Sequence, residues 1–348
     1  MKATHLKIAY ILPSLANKGP VLVVKDLVSY LRDKADVTVF YFDPIKELDF
    51  ECKTVNIKFS EGFDFSEFDI VHSHMLRPDA YVFLHRRKIK AKCISTLHSY
   101  VEKDLENTHG KLLSFIFTRI WNQLLRKHDM LVALTEHMQN YYRKLYSNPN
   151  ITYIYNGKSV DKGLAIEATD LLKIKEFKEG SILLGVSAIL THIKGIDQTI
   201  KLLERLPYLK LLIIGDGPAK NDLLRLAESR QVSERCLFLG YRSHANRYYS
   251  QFDVYAMSSR SEGFSLALIE AAAYGLPTVS SNIPTAVEAF TGEEVSFYEL
   301  ENLDSMQKAT EHLLANKSKF SSNILSKYHN AYTASKMASQ YNELYKQL

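Results

Sequence analysis

Short apolar runs rich in Ile, Val and Leu alternate along this chain with longer amphipathic stretches. A short apolar run suits a strand buried on both faces, and an amphipathic stretch between two runs suits a crossover helix. In the first half the runs are residues 6–12, 37–42, 69–74, 92–97, 130–135 and 151–155, and in the second half they are residues 181–186, 210–214, 236–240, 253–258 and 277–280. The alternation predicts an α/β protein with doubly wound parallel sheets.

The pattern weakens between residues 158 and 180, where the chain is polar and rich in lysine. A chain of 348 residues suits two domains, each large enough to bury its own core. We therefore expect two Rossmann-like domains, residues 1–160 and 161–331, whose parallel sheets face each other across a cleft. Apolar residues at helical spacing in residues 332–348 predict a final helix. We expect this helix to cross back to the first domain.

Bulk properties exclude several classes of protein. The formal net charge of +5 is modest and no recognition module for nucleic acid is present, so we expect no nucleic-acid partner. The N-terminus lacks the pattern of a signal peptide, and no apolar stretch reaches the roughly 20 residues that span a bilayer. We expect a cytoplasmic protein whose membrane contact, if any, is peripheral. The widely spaced Cys52, Cys93 and Cys236 are expected to be reduced thiols, without a metal site.

Residues 259–278 have the local pattern of a helix with well-defined ends. Ser265 is a candidate N-cap, and residues 266–274 form a helix-favouring run. Gly275 suits the left-handed position that follows a helix, and Pro277 prevents continuation. The pattern predicts that a helix begins directly after Phe264.

The start of this helix is a candidate phosphate site. Free backbone N–H groups and the positive end of the helix dipole bind phosphate, and Gly263 lets a ligand approach the backbone. Glu262 precedes the helix and Glu270 lies about two turns further along, so both carboxylates can face one ligand. Each carboxylate can accept hydrogen bonds from sugar hydroxyls.

The segment from Glu262 to Glu270, E-G-F-S-L-A-L-I-E, resembles the signature of the family 4 glycosyltransferases, which have the GT-B fold. The resemblance implies that Glu262 contacts the donor sugar and Glu270 the nucleotide ribose. It places the backbone amides of Gly263, Phe264 and Ser265 on the diphosphate.

The same resemblance implies the chemistry. We expect retaining transfer of a hexose or N-acetylhexosamine from a nucleotide diphosphate sugar, without a metal or other cofactor. UDP is the commonest nucleotide of the family. The expected acceptor is a glycan or a lipid-linked acceptor in the synthesis of bacterial surface polysaccharide, such as lipopolysaccharide or capsule.

A second match concerns the donor phosphates. Residues 190–195 resemble the family element G-R-L-x-x-x-K-G, which places Lys194 on the phosphates. Ala188 and Ile189 occupy the glycine and arginine positions, so one phosphate-binding cation is missing. Arg260 is a candidate replacement, and an exposed structural arginine is an equally open interpretation. Lys194 and the helix start would stabilise the departing diphosphate.

Two further matches lie outside this core. Residues 238–242 resemble the stretch whose backbone approaches the nucleotide base, which makes Tyr241 and Arg242 candidate neighbours of the base. Gly19 resembles part of the family's glycine-rich first loop, before a helix expected to begin near Val21. A plain strand-to-helix turn at Gly19 stays open as the alternative.

Three histidines fall at or just beyond the ends of predicted strands, where open α/β sheets bind ligands. His98 matches the family histidine that reaches the donor sugar, and it joins Glu262 and Lys194 as a candidate catalytic residue. His72 and His74 we interpret as packing or hydrogen-bonding groups, because no third ligand supports a metal.

A cationic amphipathic stretch at residues 111–128 and a basic cluster at residues 85–90 suit an anionic membrane surface. The same stretch equally suits a helix packed on its own sheet. Two other functions also stay open: a sugar-nucleotide epimerase of the same architecture, and a non-catalytic protein that binds nucleotide sugars.

Overall fold

The computed structural model describes residues 5–100, 102, 111–146 and 150–348, with the backbone alone for residues 111–116. Its internal contacts divide the chain into two compact units. The first unit contains Met1–Ser159 and Tyr332–Leu348, and the second contains Val160–Ala331. The final segment of the chain therefore belongs to the first unit.

Strands and helices alternate through both units. In the first unit the elements are β1 (Leu6–Leu12), α1 (Gly19–Leu31), β2 (Ala35–Tyr41), β3 (Lys53–Asn56), β4 (Ile70–His74), α2 (Leu76–His85), β5 (Lys92–Leu97), α3 (Lys111–Leu125), β6 (Met130–Ala133), α4 (Glu136–Leu145) and β7 (Ile151–Tyr153). The second unit contains α5 (Ala168–Lys178), β8 (Ile182–Ser187), α6 (Ile196–Arg205), β9 (Leu209–Ile214), α7 (Lys220–Ser229), β10 (Cys236–Gly240), β11 (Val254–Met257), α8 (Leu266–Ala273), β12 (Thr278–Ser281), α9 (Pro284–Ala289), β13 (Ser296–Tyr298), α10 (Leu303–Ala315) and α11 (Lys317–Ala331). The last helix, α12 (Ala334–Gln347), returns to the first unit and packs on α1.

Each unit has one parallel sheet within the described residues. The strand order is β3-β2-β1-β4-β5-β6-β7 in the first sheet and β10-β9-β8-β11-β12-β13 in the second. Every strand pair is parallel, which confirms the predicted doubly wound α/β folds. The order reverses between β1 and β4 and again between β8 and β11, and ligands of such sheets bind beyond the carboxyl ends of the strands at these points.

All eleven predicted strands are present, with ends that differ by two residues at most. β3 and β13 were not predicted, because each is a short strand at a sheet edge and lacks a continuous apolar run. α5 lies in the stretch predicted to be a polar connection, and it buries only Asp170 and Ile174, so it has little apolar periodicity. α1 begins at Gly19 instead of near Val21, because Pro20 suits the first turn of a helix.

The core of the first unit is rich in aromatic rings. Phe40 lies in tilted and edge-to-face contact with neighbouring phenylalanines, the arrangement that aromatic pairs favour. The cluster on this face of the sheet comprises Phe40, Phe42, Phe59, Phe63, Phe65, Phe68 and Tyr81. The three cysteines are free thiols, of which Cys93 is buried and the other two half-buried. Among the described residues, no helix has the length and apolar character needed to cross a membrane.

The two segments that connect the units lie side by side. The backbone N–H of Lys158 donates to the carbonyl oxygen of Tyr332 at 3.0 Å. The ammonium of Lys158 donates to Oδ2 of Asp26 on α1 at 2.8 Å, and both side chains are almost fully buried. Burial raises the pKa of Asp26 above its ordinary value, even though Lys158 opposes this shift. The pair therefore ties the end of the segment Met1–Ser159 to α1 within the first unit.

We expect Lys158→Met to lower the free energy of unfolding of the first unit by about 3–5 kcal/mol, because it leaves the Asp26 carboxylate buried without its partner. Urea unfolding followed by the fluorescence of Trp121, the one tryptophan of the chain, reports on this unit. The double variant Asp26→Leu/Lys158→Met removes both charges and should be closer to the parent in stability. A single variant as stable as the parent would contradict the assignment.

Candidate active site

The helix start predicted as a phosphate site lies at the switch point of the second sheet. The chain leaves β11 and enters α8 through residues 258–265. Ser265 caps the helix, since its Oγ accepts a hydrogen bond from the backbone N–H of Leu268 at 3.3 Å. After the helix, Gly275 has φ 66°, in the left-handed region. Both local predictions are confirmed, and the positive end of α8 lies at the carboxyl edge of the sheet.

The structure brings Lys194 and Glu262 together from positions 68 residues apart. Nζ of Lys194 donates to Oε1 of Glu262 at 2.6 Å. The hydroxyl of Ser259 donates to the same oxygen at 2.7 Å. The side chains of Lys194 and Glu262 are 28% and 13% exposed, so the pair is largely shielded from water yet open on one side. Two predicted catalytic residues thus form one charged pair beside the start of α8.

This pair depends on a close contact between two loops. Lys194 ends a 3₁₀ turn, His192–Lys194, and its carbonyl oxygen accepts from Oγ of Ser258 at 3.0 Å. The next residue, Gly195, has φ 61°, and a Cβ there would lie 2.0 Å from the carbonyl oxygen of Ser258. Any side chain at position 195 would therefore be strained and would also push the two loops apart.

Arg260, the candidate replacement for the missing arginine, is held by carboxylates. Its guanidinium donates two hydrogen bonds of 3.0 Å to the two oxygens of Asp197, and its Nε donates to Glu301 at 2.5 Å. Burial alone would raise the pKa of Asp197, but the bonds from Arg260 and Lys201 lower it below the ordinary value. Of the two interpretations that the sequence left open, this geometry favours a structural arginine. Ile189, at the family's arginine position, is 64% exposed.

Arg242 is also engaged by a carboxylate. It forms a bidentate ion pair with Asp170 of α5, with distances of 2.6 and 2.9 Å, and the hydroxyl of Tyr248 donates to the same group at 2.5 Å. The bond from Arg242 lowers the pKa of Asp170 to about 2. Tyr241, directly after β10, is 59% exposed. Of the two predicted neighbours of the base, Tyr241 presents the more open side chain.

The remaining predicted residues of this unit surround the start of α8. Phe264 is buried, so any contact it makes with a donor would involve its backbone. Oγ1 of Thr285 donates to the carbonyl oxygen of Glu262 at 3.1 Å and holds the loop before Gly263. Glu270 is half-buried and accepts from the hydroxyl of Tyr249 at 3.4 Å. Thr285 and Tyr249 give no motif in the sequence, and only the structure shows them.

At the carboxyl edge of the first sheet, Gly19 opens α1 and His98 directly follows β5. Nε2 of the partly exposed His98 lies 2.8 Å from Nδ1 of His74, the fully buried last residue of β4. Burial lowers the pKa of His98 to about 3, so its imidazole is neutral at neutral pH. His74 is a hydrogen-bonding group, as interpreted from the sequence, but its partner His98 was not foreseen.

Comparisons with known proteins agree with this architecture. A family model described as glycosyltransferase family 4 matches residues 18–162, and one described as glycosyl transferases group 1 matches residues 168–331. The O-antigen biosynthesis glycosyltransferase WclY of Escherichia coli is 33% identical over 353 aligned residues, which cover 99% of each chain.

Solved structures show the same fold at low identity. Sucrose-phosphate synthase from Thermosynechococcus elongatus superimposes with a TM-score of 0.82 at 18% identity, over 99% of each chain. Anabaena HepE in complex with UDP and glucose gives 0.81 at 17% identity, over 99% of this chain and 100% of HepE. The chain belongs to the group 1, or family 4, glycosyltransferases and has the GT-B fold.

The contact at Gly195 yields a stability prediction with a matched control. We expect Gly180→Ala to cost about 1 kcal/mol, because Gly180 has φ 65° but no atom within 4 Å of an added Cβ. Gly195→Ala has a similar φ and the added clash with Ser258, so it should cost clearly more. Thermal unfolding followed by circular dichroism compares the two variants. Equal losses would show that the loops are not held by this contact.

Proposed function

We propose that this glycosyltransferase transfers a hexose or N-acetylhexosamine from a UDP-sugar to a glycan or lipid-linked acceptor, with retention of the anomeric configuration and without a metal. We further propose that the product is a bacterial surface polysaccharide of the O-antigen type. The observation that carries the proposal is the Lys194–Glu262 pair at the positive end of α8.

The charge arrangement supports binding of a donor diphosphate at this place. The helix start supplies backbone N–H groups and a positive dipole end, and Lys194 supplies a full positive charge. Arg260 and Arg242 are engaged by carboxylates, so Lys194 and the helix start balance the diphosphate in this proposal. The charge on the departing diphosphate grows in the transition state, which is where a preorganised cation gains most.

Donor binding and the ion pair are coupled in this proposal. In the structure, the ammonium of Lys194 is bound to the carboxylate of Glu262. A diphosphate at the helix start competes for that ammonium and leaves Glu262 available to accept hydrogen bonds from sugar hydroxyls. Ser259, which donates to the same carboxylate oxygen, would hold the side chain in place during this exchange.

Two relatives support the finer parts of the proposal. WclY, which matches over nearly the whole chain, is an O-antigen biosynthesis enzyme, and this supports surface polysaccharide as the product. HepE was solved with UDP and glucose, and this supports UDP as the nucleotide.

The direct test is a transfer assay with purified protein. UDP-, GDP- and ADP-sugars are supplied with a membrane lipid extract from a polysaccharide-producing bacterium, and the released nucleotide is measured. We expect release from a UDP-sugar at a rate that EDTA does not change, and a product with the anomeric configuration of the donor by NMR. Inversion, or a requirement for a divalent cation, would overturn those parts of the proposal.

Lys194→Ala should lower kcat about 100- to 1000-fold, because one preorganised group that stabilises developing charge is lost. The variant should also lose the thermal stabilisation that UDP gives to the parent. Lys308→Ala, which removes an exposed lysine of α10, is the matched control and should behave as the parent does. Normal turnover by Lys194→Ala would remove Lys194 from the site.

One observation favours a second function. Ile189 occupies the position of the family's phosphate-binding arginine, and Arg242 and Arg260 are each paired with a carboxylate. A protein that binds nucleotide sugars without turning them over would show stabilisation by UDP-sugars and no released nucleotide with any acceptor. Conversion of the donor to its epimer without an acceptor would instead indicate an epimerase.

We also propose that the first unit docks on an anionic membrane, where a lipid-linked acceptor would be found. α2 and α3 pack together, and Arg86 joins their ends because its Nε donates to the carbonyl oxygen of Lys127 at 2.9 Å. The surface, called here the basic apolar patch, comprises exposed Leu84, Phe117 and Ile120 and exposed Arg87, Lys88, Lys90, Arg126 and Lys127. Side chains 111–116 of the amphipathic stretch lie outside the described residues.

The positive charge of this patch favours an anionic bilayer as the partner. Ile120 is 51% and Leu84 is 60% exposed, and the cationic residues of the patch form no ion pair within the described part of the chain. Apolar side chains beside unpaired cations match the boundary between acyl chains and anionic headgroups.

The double variant Arg126→Glu/Lys127→Glu should lower binding to vesicles that contain phosphatidylglycerol about tenfold or more, because two cations become anions. Co-sedimentation at low and high salt measures the effect, and vesicles of phosphatidylcholine alone should bind little. Lys308→Glu in the second unit is the matched control. Equal binding by the double variant would place the membrane contact elsewhere.

A further inference from the structure

A buried nitrogen at the carboxyl edge of the first sheet has no partner. The side chain of His74 is fully buried, and its Nε2 makes no hydrogen bond within the described residues. Its other ring nitrogen, Nδ1, lies 2.8 Å from Nε2 of His98. A buried polar atom without a partner is uncommon. The protons of the two rings can therefore be placed by comparing which buried atom each arrangement leaves without a partner.

Burial lowers the pKa of both histidines well below the ordinary value, so both rings are neutral and each carries one N–H. A contact of 2.8 Å between two ring nitrogens requires one donor and one acceptor. In the first arrangement, Nδ1–H of His74 donates to His98, whose own proton is then on Nδ1. In the second, Nε2–H of His98 donates to His74, whose own proton is then on the buried Nε2.

The two arrangements differ in what they leave buried without a partner. The second leaves an N–H of His74 without an acceptor, whereas the first leaves a lone pair without a donor. Buried N–H groups without an acceptor are the rarer case in proteins, so the first arrangement is favoured. We infer that His74 is a positioning residue that holds His98 in the Nδ1–H tautomer. His98 then presents Nδ1–H, which no described residue binds, as a hydrogen-bond donor.

The surroundings of His74 keep its ring in place. The ring of His72 lies 4.3 Å from it, and both nitrogens of His72 are occupied, by the hydroxyl of Tyr345 at 2.7 Å and by that of Thr96 at 2.8 Å. Tyr345 belongs to α12 and also bonds the hydroxyl of Tyr10 at 2.8 Å. His72 therefore cannot supply the missing partner of His74, and the final helix of the chain supports the pair.

The tautomer is measured directly by NMR on protein with ¹⁵N-labelled histidine, through long-range couplings between ring protons and nitrogens. His98→Gln identifies the signals of His98 by their loss. We expect the Nδ1–H tautomer for His98 in the parent and a change toward Nε2–H in His74→Phe, which cannot donate. An Nε2–H tautomer in the parent, or no change in the variant, would overturn the inference.

The role in catalysis rests on the proposed function and on the expectation from the sequence that His98 contacts the donor sugar. His74→Phe should lower kcat about tenfold with little change in KM for the donor. The His98 ring keeps its position but loses the hydrogen bond that fixes its tautomer and orientation. His74→Asn, whose amide can donate from a similar position, should regain part of the rate. Equal losses in both variants would indicate a structural role, and urea unfolding followed by Trp121 fluorescence checks that both are folded.

These readouts separate the two proposals. The NMR measurement needs no donor or acceptor, so an Nδ1–H tautomer in a protein that transfers no sugar would contradict the proposed function alone. Active protein with the Nε2–H tautomer would contradict the role of His74 alone.

Discussion

The candidate site depends on the close approach of two backbones in the second unit. The turn that ends at Lys194 and the loop that begins at Ser258 come from different strands, and they meet where the carbonyl oxygen of Ser258 passes Gly195. No side chain fits between them, so the distance is fixed by the backbone and not by a flexible contact. Because the two loops are held at this distance, the ammonium of Lys194 and the carboxylate of Glu262 lie within hydrogen-bonding distance of each other.

Much of this organisation could be predicted from the sequence, because the patterns that report it are local. The apolar runs gave the strands of both sheets, and Ser265 and Gly275 marked the ends of α8 through the backbone conformations they favour. β3 and β13 were missed because an edge strand is covered on fewer sides and needs no apolar run. The helix α5 was also missed, because it buries few residues and therefore has little apolar pattern in the sequence.

The contacts of charged residues could not be predicted in this way, because they join parts of the chain that are distant in sequence. Arg260 was a candidate phosphate ligand because it stands just before Glu262 in the sequence. Its partners Asp197 and Glu301 lie in other segments, and no sequence motif indicates them. The bond between the neutral side chains of His74 and His98 also joins distant segments, since His74 is the last residue of β4 and His98 follows β5. A motif indicates which residue types are present at one place in the sequence. Which side chains pair with each other depends on how the fold brings distant segments together.

The placement of α12 has a consequence for the order in which the two units can fold during synthesis of the chain. The second unit is one continuous segment, Val160–Ala331, inserted between two parts of the first. Tyr345 supplies a hydroxyl to the buried group around His72, so the core of the first unit is incomplete until the segment after Ala331 has been synthesised. During translation the second unit can therefore close its core first, although its residues follow most of the first unit in the sequence.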